Sequence, residues 1–147
     1  MSERPIAITI PDASSRRRPN SLLSELGDSG CYQLLMVLDE DVTLRIGALG
    51  KLNFKKDHYL YTGRAKRGLK SRIRRHISMK KKKRWHIDYL LTRVRITKIF
   101  YYHGRLDECI INNEVLKRVK GQVVKNFGSS DCRCEGHLIR VDEEPNL

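Results

Sequence analysis

No apolar run in the chain approaches the roughly 18 residues that a membrane-spanning helix needs. Also missing is a basic start followed by an apolar core of about 7–15 residues, so a secretory signal is not expected and cytoplasmic residence follows by default. Cysteine is sparse and unevenly placed, at Cys31, Cys109, Cys132 and Cys134. In a reducing compartment such a set reads as buried thiols or metal ligands rather than as a disulfide framework. Acidic residues are few, 17 against 30 lysines and arginines, and between Arg64 and Arg84 there are none at all. That one segment holds twelve basic residues and accounts for nearly all of the net charge of +13. A chain of pI near 9.9 calls for a polyanionic partner, and without an apolar anchor nucleic acid is preferred to a membrane. Internal repeats are absent, and 147 residues make one ordinary domain with enough chain to bury a core.

Residues 1–29 carry Pro5, Pro11, Pro19 and the Arg16-Arg17-Arg18 run, which reads as a mobile tail with at most a short edge strand at Ile6–Ile10. A folded domain is expected over residues 30–141, with 142–147 a solvated tail. Tyr32 to Leu38 is a nearly unbroken apolar run, consistent with a strand covered on both faces. Thr43–Ile46 and Lys51–Phe54 read as a hairpin joined through Gly47 and Gly50, and Tyr59–Tyr61 as a further strand with both tyrosines on one face. From Arg67 to Met79 the period becomes helical, with Leu69, Ile73 and Ile77 recurring every four residues. Trp85–Arg93 reads as a second helix, Val94–Tyr102 as a strand, and Asp107 as the N-cap of a helix running to Arg118. Beyond Gly121 the chain reads as loop until a last strand at Leu138–Val141. The class is α+β: a small, mainly antiparallel sheet flanked by helices.

Within this frame, chemistry-bearing residues recur in a definite order. Gly30-Cys31-Tyr32 opens the first strand and Tyr61-Thr62-Gly63 ends a later one. Arg72 follows nine residues after the second triplet and His76 four residues after that, one above the other on a helix face. Glu108 opens the last helix. Hydrolysis of a phosphodiester needs an activated water, charge neutralisation at the phosphate and help for the leaving oxygen; this set offers a candidate for each.

The ordered set resembles the GIY-YIG nuclease superfamily over roughly residues 30–141. The segments Arg84–Leu91, Glu108-Cys109 and Phe127–Cys132 through His137-Leu138 look like one small prokaryotic branch, some members of which are fused to DNA-repair enzymes. The connection between the two triplets is longer than the superfamily's usual hairpin, so an extra hairpin stands between the motif strands. The resemblance implies that Tyr32 orients or deprotonates the attacking water, and that Tyr61 bonds the phosphate or supports that base. Arg72 would stabilise the transition state, and His76 would be a proton shuttle or phosphate contact. Glu108 with waters would hold Mg²⁺ or Mn²⁺, since a lone carboxylate suits an ion that keeps its hydration. Against these stand blander readings: a solvated basic helix for Arg72 and His76, strand aromatics for the tyrosines, and helix-dipole complementarity for Glu108. For Tyr59 the bland reading is preferred.

Phosphate-backbone contacts are expected from Arg64, Lys66, Arg67, Lys70, Arg75, Lys80, Lys81, Lys82, Lys83 and Arg84, without sequence preference. Cys132-Arg133-Cys134 with His137 has a metal-like but compressed spacing, and Cys109 or His103 could complete four ligands; buried thiols are the preferred reading and zinc the lesser one. The leading functional expectation is a metal-dependent endonuclease acting on DNA, with a DNA-repair enzyme as the protein partner the resemblance implies. The alternative is a catalytically silent nucleic-acid-binding module on the same scaffold, and an RNA-binding role resting on charge alone is third.

Overall fold

Tyr32, Leu34, Met36 and Leu38 alternate with Cys31, Gln33 and Leu35 along one strand, and all seven are buried. Such a strand must be central, and in the computed structural model, which describes residues 4–11, 23–129, 132–145 and 147, it is. The six-stranded sheet comprises β1 (Ile6–Thr9), β2 (Gly30–Leu38), β5 (Asp57–Ala65), β6 (Arg95–His103), β7 (Gln122-Val123) and β8 (Leu138–Val141), ordered β1-β6-β2-β5-β8-β7. Every pairing in it is antiparallel. A separate hairpin of β3 (Val42–Arg45) and β4 (Lys51–Phe54) lies in sequence between β2 and β5, the extra excursion expected there.

The helices are α1 (Leu69–Ile77), α2 (His86–Leu90) and α3 (Glu108–Val119). One sheet face, bearing Tyr32, Leu34, Met36 and Tyr59, packs on Leu69 and Ile73 of α1 and on Ile87 and Leu90 of α2. The opposite face, bearing Cys31, Leu35, Leu60, Phe100 and Tyr102, packs on Ile111 and Val115 of α3. On that second face Gln33 is buried but satisfied: its amide donates to Thr62 Oγ1 at 3.0 Å and its carbonyl accepts from the Tyr102 hydroxyl at 2.8 Å.

Several boundaries differ from the sequence reading, each for a local reason. The short edge strand expected near Ile6–Ile10 is present as β1, paired with β6, but the tail reading does not hold for Leu23 and Leu26, which are buried in the core. The Arg16-Arg17-Arg18 run and Ser130-Asp131 lie outside the described residues. The first helix starts at Leu69 because Gly68, at φ 69°, holds the left-handed turn that precedes it. It is tied there by the Gly68 amide donating to the Asp28 carboxylate at 3.0 Å. The second helix stops early: the Thr92 hydroxyl donates to the Tyr89 carbonyl at 2.7 Å and a turn follows. Asp107 stands at the N-cap position of α3 but makes no capping side-chain bond; Arg105 takes its carboxylate instead, with Nε at 3.0 Å. Residues after Gly121 include the short β7 strand beside β8, where only loop was expected. No described helix is long and apolar enough to cross a membrane.

Candidate active site

Antiparallel pairing sets Tyr32 opposite Gly63 and Leu34 opposite Tyr61, so the two tyrosines stand on the same sheet face, diagonal to one another on adjoining strands. Gly63 is required there. A Cβ on it would lie 2.7 Å from Tyr32 Cζ and Oη, so the bare backbone is what lets the Tyr32 ring lie across β5. A cavity of about 240 Å³ opens in front of this pair. Tyr32, Tyr61, Arg72 and Glu108 all line it, together with Arg64, Arg84, Trp85 and His86. Three guanidinium groups against one carboxylate make it cationic.

His76 is the departure. It is 2% exposed and does not line the cavity; its Nε2 lies 2.7 Å from the Tyr32 hydroxyl, behind the ring. The imidazole is thus withdrawn from the cavity, and its hydrogen bond on that side is to the Tyr32 hydroxyl. Burial pushes the His76 imidazole down to about 3, helped by the nearby positive charges of Lys81, Arg75 and Arg72, so it is neutral. Its Nδ1 is buried without a hydrogen-bond partner. An orphan acceptor is tolerated better than an orphan N–H, which favours the tautomer whose Nε2–H donates to Tyr32. The Tyr32 phenol itself is pushed well above its ordinary value by burial and by Tyr61, with Arg72 acting in the opposite sense.

Arg72 rests over the Trp85 ring, 4.9 Å from its centroid, and donates to the Arg64 carbonyl, so its guanidinium is held at the cavity wall rather than free in solvent. Trp85 is seated by a buried ion pair. Asp88, fully buried, accepts from Arg75 Nη1 and Nη2 at 2.9 and 2.8 Å and from the Arg84 and Trp85 amides at 2.8 Å each. Burial raises the Asp88 carboxyl, but these four donors outweigh it and hold the group below its ordinary value. Arg75 is thus committed to the fold and is not the phosphate contact it was read as. Lys81 is likewise committed, its ammonium capping the C-terminal end of α1 on the Arg75 and His76 carbonyls at 3.0 and 2.8 Å. Lys66, Arg67, Lys80, Lys82, Lys83 and Arg84 are exposed and Lys70 half-buried; of these Arg84 lines the cavity, and Lys66 and Arg67 lie beside Arg64 and Arg72 at its edge. Tyr59 is a core residue with its hydroxyl on the Lys55 carbonyl, as read.

Trp85, His86 and Asp88 were not among the site residues read from sequence. The signal was present: an aromatic pair directly after the lysine run. His86 Nδ1 accepts the Gly128 amide at 2.9 Å, leaving Nε2–H as a donor on a ring that lines the cavity.

Glu108, 18% exposed, sits at the first turn of α3 with Oε1 3.3 Å from Arg64 Nε and Oε2 3.7 Å from His137 Nδ1. The histidine belongs to a second constellation. Ligand atoms of Cys109, Cys132, Cys134 and His137 all lie within 4.8 Å of one another, a Cys/His cluster that can hold a metal ion. Cys109 Sγ and Cys132 Sγ are 3.6 and 3.4 Å from His137 Nε2. Burial, with the neighbouring Cys134 and Cys132 thiols, pushes Cys109 up to about 12. Long-range folding brings these four residues to one point, so the thiols are clustered with an imidazole.

The fold and this geometry define an α+β domain with a cationic, tyrosine-walled cavity at one end of its central strands and a thiol–imidazole cluster beside it. The chain belongs to the family described as Domain of unknown function DUF123, whose model matches residues 31–147. No curated protein and no solved structure matches it.

Proposed function

We infer that the protein is a metal-dependent endonuclease of the GIY-YIG type, hydrolysing phosphodiester bonds in nucleic acid, DNA first. The observation that carries this reading is the convergence of Tyr32, Tyr61, Arg72 and Glu108 on one cationic cavity, with His76 hydrogen-bonded behind Tyr32. Among the described residues Glu108 is the only carboxylate lining that cavity, and with waters it would hold Mg²⁺ or Mn²⁺, which would supply Lewis-acid activation and neutralise charge on the phosphate. The neighbouring cysteine cluster suits a soft ion, zinc in the first place.

Arg72, fixed over Trp85, presents its forked donors to the phosphate oxygens and stabilises charge as it builds up in the transition state. Tyr32, its own proton first lost to solvent, takes the proton of the attacking water as phenolate and returns to phenol. Its phenolate must be stabilised locally, and the His76 Nε2–H does so from behind while Arg72 does so from the cavity side. Tyr61 faces the same cavity and donates to the phosphate. The oxygen opposite the attacking water departs as the P–O bond breaks. Arg64, which now faces Glu108, would be free to pair with the substrate backbone if that carboxylate held a cation. The exposed basic residues from Lys66 to Arg84 hold the flanking phosphates. A DNA-repair enzyme is the protein partner that the family resemblance favours.

A silent binding module is the second reading. It is favoured by burial keeping the Tyr32 phenol high and by Glu108 already facing Arg64 and His137. Incubation of purified protein with duplex, branched and single-stranded DNA and RNA, with Mg²⁺ or Mn²⁺ and then with EDTA, separates the two. Glu108→Gln is expected to lower cleavage by orders of magnitude while binding to an uncleavable duplex is kept. Metal-independent nicking, or cleavage unchanged in the variant, would remove the metal-dependent mechanism.

A further inference from the structure

We propose that Cys109, Cys132, Cys134 and His137 hold one zinc ion, and that His137, ligated through Nε2, positions Glu108 through Nδ1. The second half rests on the reading of Glu108 as the cavity's metal-binding carboxylate; the first does not.

The donor set is three sulfurs and one imidazole nitrogen, the composition of a closed tetrahedral zinc site. Bond lengths of about 2.3 Å to sulfur and 2.0–2.1 Å to nitrogen imply sulfur-to-nitrogen edges of about 3.6 Å in a tetrahedron. The two such edges seen, 3.6 and 3.4 Å, already have that length. Three thiolates favour a soft or borderline ion over Mg²⁺, so this is a separate site with a separate metal from that of the cavity.

The histidine is held in place by main chain on both sides. Its amide donates to the Phe127 carbonyl at 2.7 Å, and its carbonyl accepts from the Thr62 amide at 3.0 Å, within the Tyr61-Thr62-Gly63 triplet. The preceding Gly136 carbonyl accepts from Asn112 of α3 at 2.8 Å. His137 is 2% exposed on its side chain and can turn little.

Ligation at Nε2 has a chemical consequence. It places the remaining imidazole proton on Nδ1, and Nδ1 faces Glu108 Oε2. At 3.7 Å the pair is about 0.5 Å beyond a hydrogen bond, a gap that a small rotation of the Glu108 carboxylate closes. Metal-ligating histidines usually donate their second N–H to a carboxylate or carbonyl, which orients both groups. Here that carboxylate is the one in the cavity. A second link is covalent: Glu108 is followed directly by the ligand Cys109 in the first turn of α3, so the same ion anchors the backbone that carries Glu108. Zinc would therefore fix the position and orientation of Glu108 without touching substrate.

The test uses the full chain, expressed with zinc supplied. Metal content by mass spectrometry should give one zinc per chain, and cobalt exchanged into the site should show thiolate-to-cobalt charge transfer and tetrahedral bands. Cys132→Ser should weaken zinc binding by at least tenfold. The decisive variant is His137→Cys, which keeps four zinc ligands and removes the N–H that faces Glu108. It is expected to retain zinc while weakening Mn²⁺ binding to the cavity, followed by electron paramagnetic resonance, by about tenfold, the lower end for loss of an outer-shell partner. Glu108→Gln marks complete loss of that Mn²⁺ signal. Zinc-free protein with no cobalt spectrum would overturn the site, a result that stands even if Cys132→Ser fails to fold. Retained zinc with wild-type Mn²⁺ affinity in His137→Cys would overturn the bridge. A protein that holds zinc, shows the Mn²⁺ effect and cleaves nothing would uphold the bridge and remove the nuclease reading.

Discussion

Asp88→Asn isolates the ion pair that seats Trp85 beneath Arg72. The carboxylate is fully buried and accepts four N–H donors at 2.8–2.9 Å, two of them from Arg75. An asparagine is isosteric, but it is neutral and turns an NH₂ toward groups that are themselves donors. Breaking a buried pair from one side costs about 3–5 kcal/mol, because the partner charge is left uncompensated. The Arg75 side chain is 23% exposed and recovers some hydration, so the lower end applies, about 3 kcal/mol. With an m-value of about 2 kcal/mol/M in urea, the denaturation midpoint should fall by about 1.5 M. Trp85 is the sole tryptophan, so its emission follows both the transition and the local seat, and the native spectrum of the variant should shift to the red. The pH dependence supplies a second check. A carboxyl held below its ordinary value contributes stability that is complete above the unfolded value of about 3.9 and is lost as pH falls through the folded one. The gap between wild type and variant should therefore narrow below about pH 4. A variant within about 0.5 kcal/mol of wild type at pH 7, the range of ordinary surface substitutions, would refute the reasoning.

Other outcomes follow from the same contacts. Gly63→Ala forces the Tyr32 ring off β5 and away from His76, so stability should fall by about 1–3 kcal/mol and cleavage should be lost; a stable, active variant would show that Tyr32 has another place to lie. Replacing Lys80, Lys82 and Lys83 by alanine, leaving the capping Lys81 in place, should weaken binding to all duplex sequences alike and reduce the salt slope by up to about 0.9 per lost contact; unchanged affinity and slope would return the run to solvent. Lys81→Ala should instead lower stability, by about 1–3 kcal/mol for two charge-assisted bonds, with little change in the salt slope. Equal losses of affinity and slope from both sets of lysines would contradict that division.

Much of the local structure was legible because it follows from periods of two and nearly four. A nearly unbroken apolar run marked Tyr32 to Leu38 as a strand covered on both faces, and the Leu69-Ile73 spacing set the buried side of α1. The same rules put the tyrosines and Arg72 on surfaces that could meet. What periodicity could not supply was depth. Arg72 and His76 share a helix face in sequence, yet one reaches the cavity wall and the other disappears behind Tyr32. The difference is what each side chain meets: the Trp85 ring, at the start of α2, for the arginine and the Tyr32 hydroxyl on the sheet for the histidine.

The basic run shows the same limit from the other side. Twelve positive charges between Arg64 and Arg84 read as one patch, because sequence counts charge without knowing its partners. In the fold, Arg75 neutralises a buried acid and Lys81 caps a helix, while Lys80, Lys82 and Lys83 stay in solvent. Chain order therefore determined the α+β class, the central strands and the hairpin between them, and the resemblance it carries singled out Tyr32, Tyr61, Arg72 and Glu108. The tertiary structure decided which charges are free, and it alone brought Cys109 of α3 to Cys132, Cys134 and His137 across more than twenty intervening residues. The reason is physical: period and composition are properties of neighbours in sequence, whereas a metal cluster and a carboxylate facing its histidine depend on loop closure and helix docking, which no local pattern encodes.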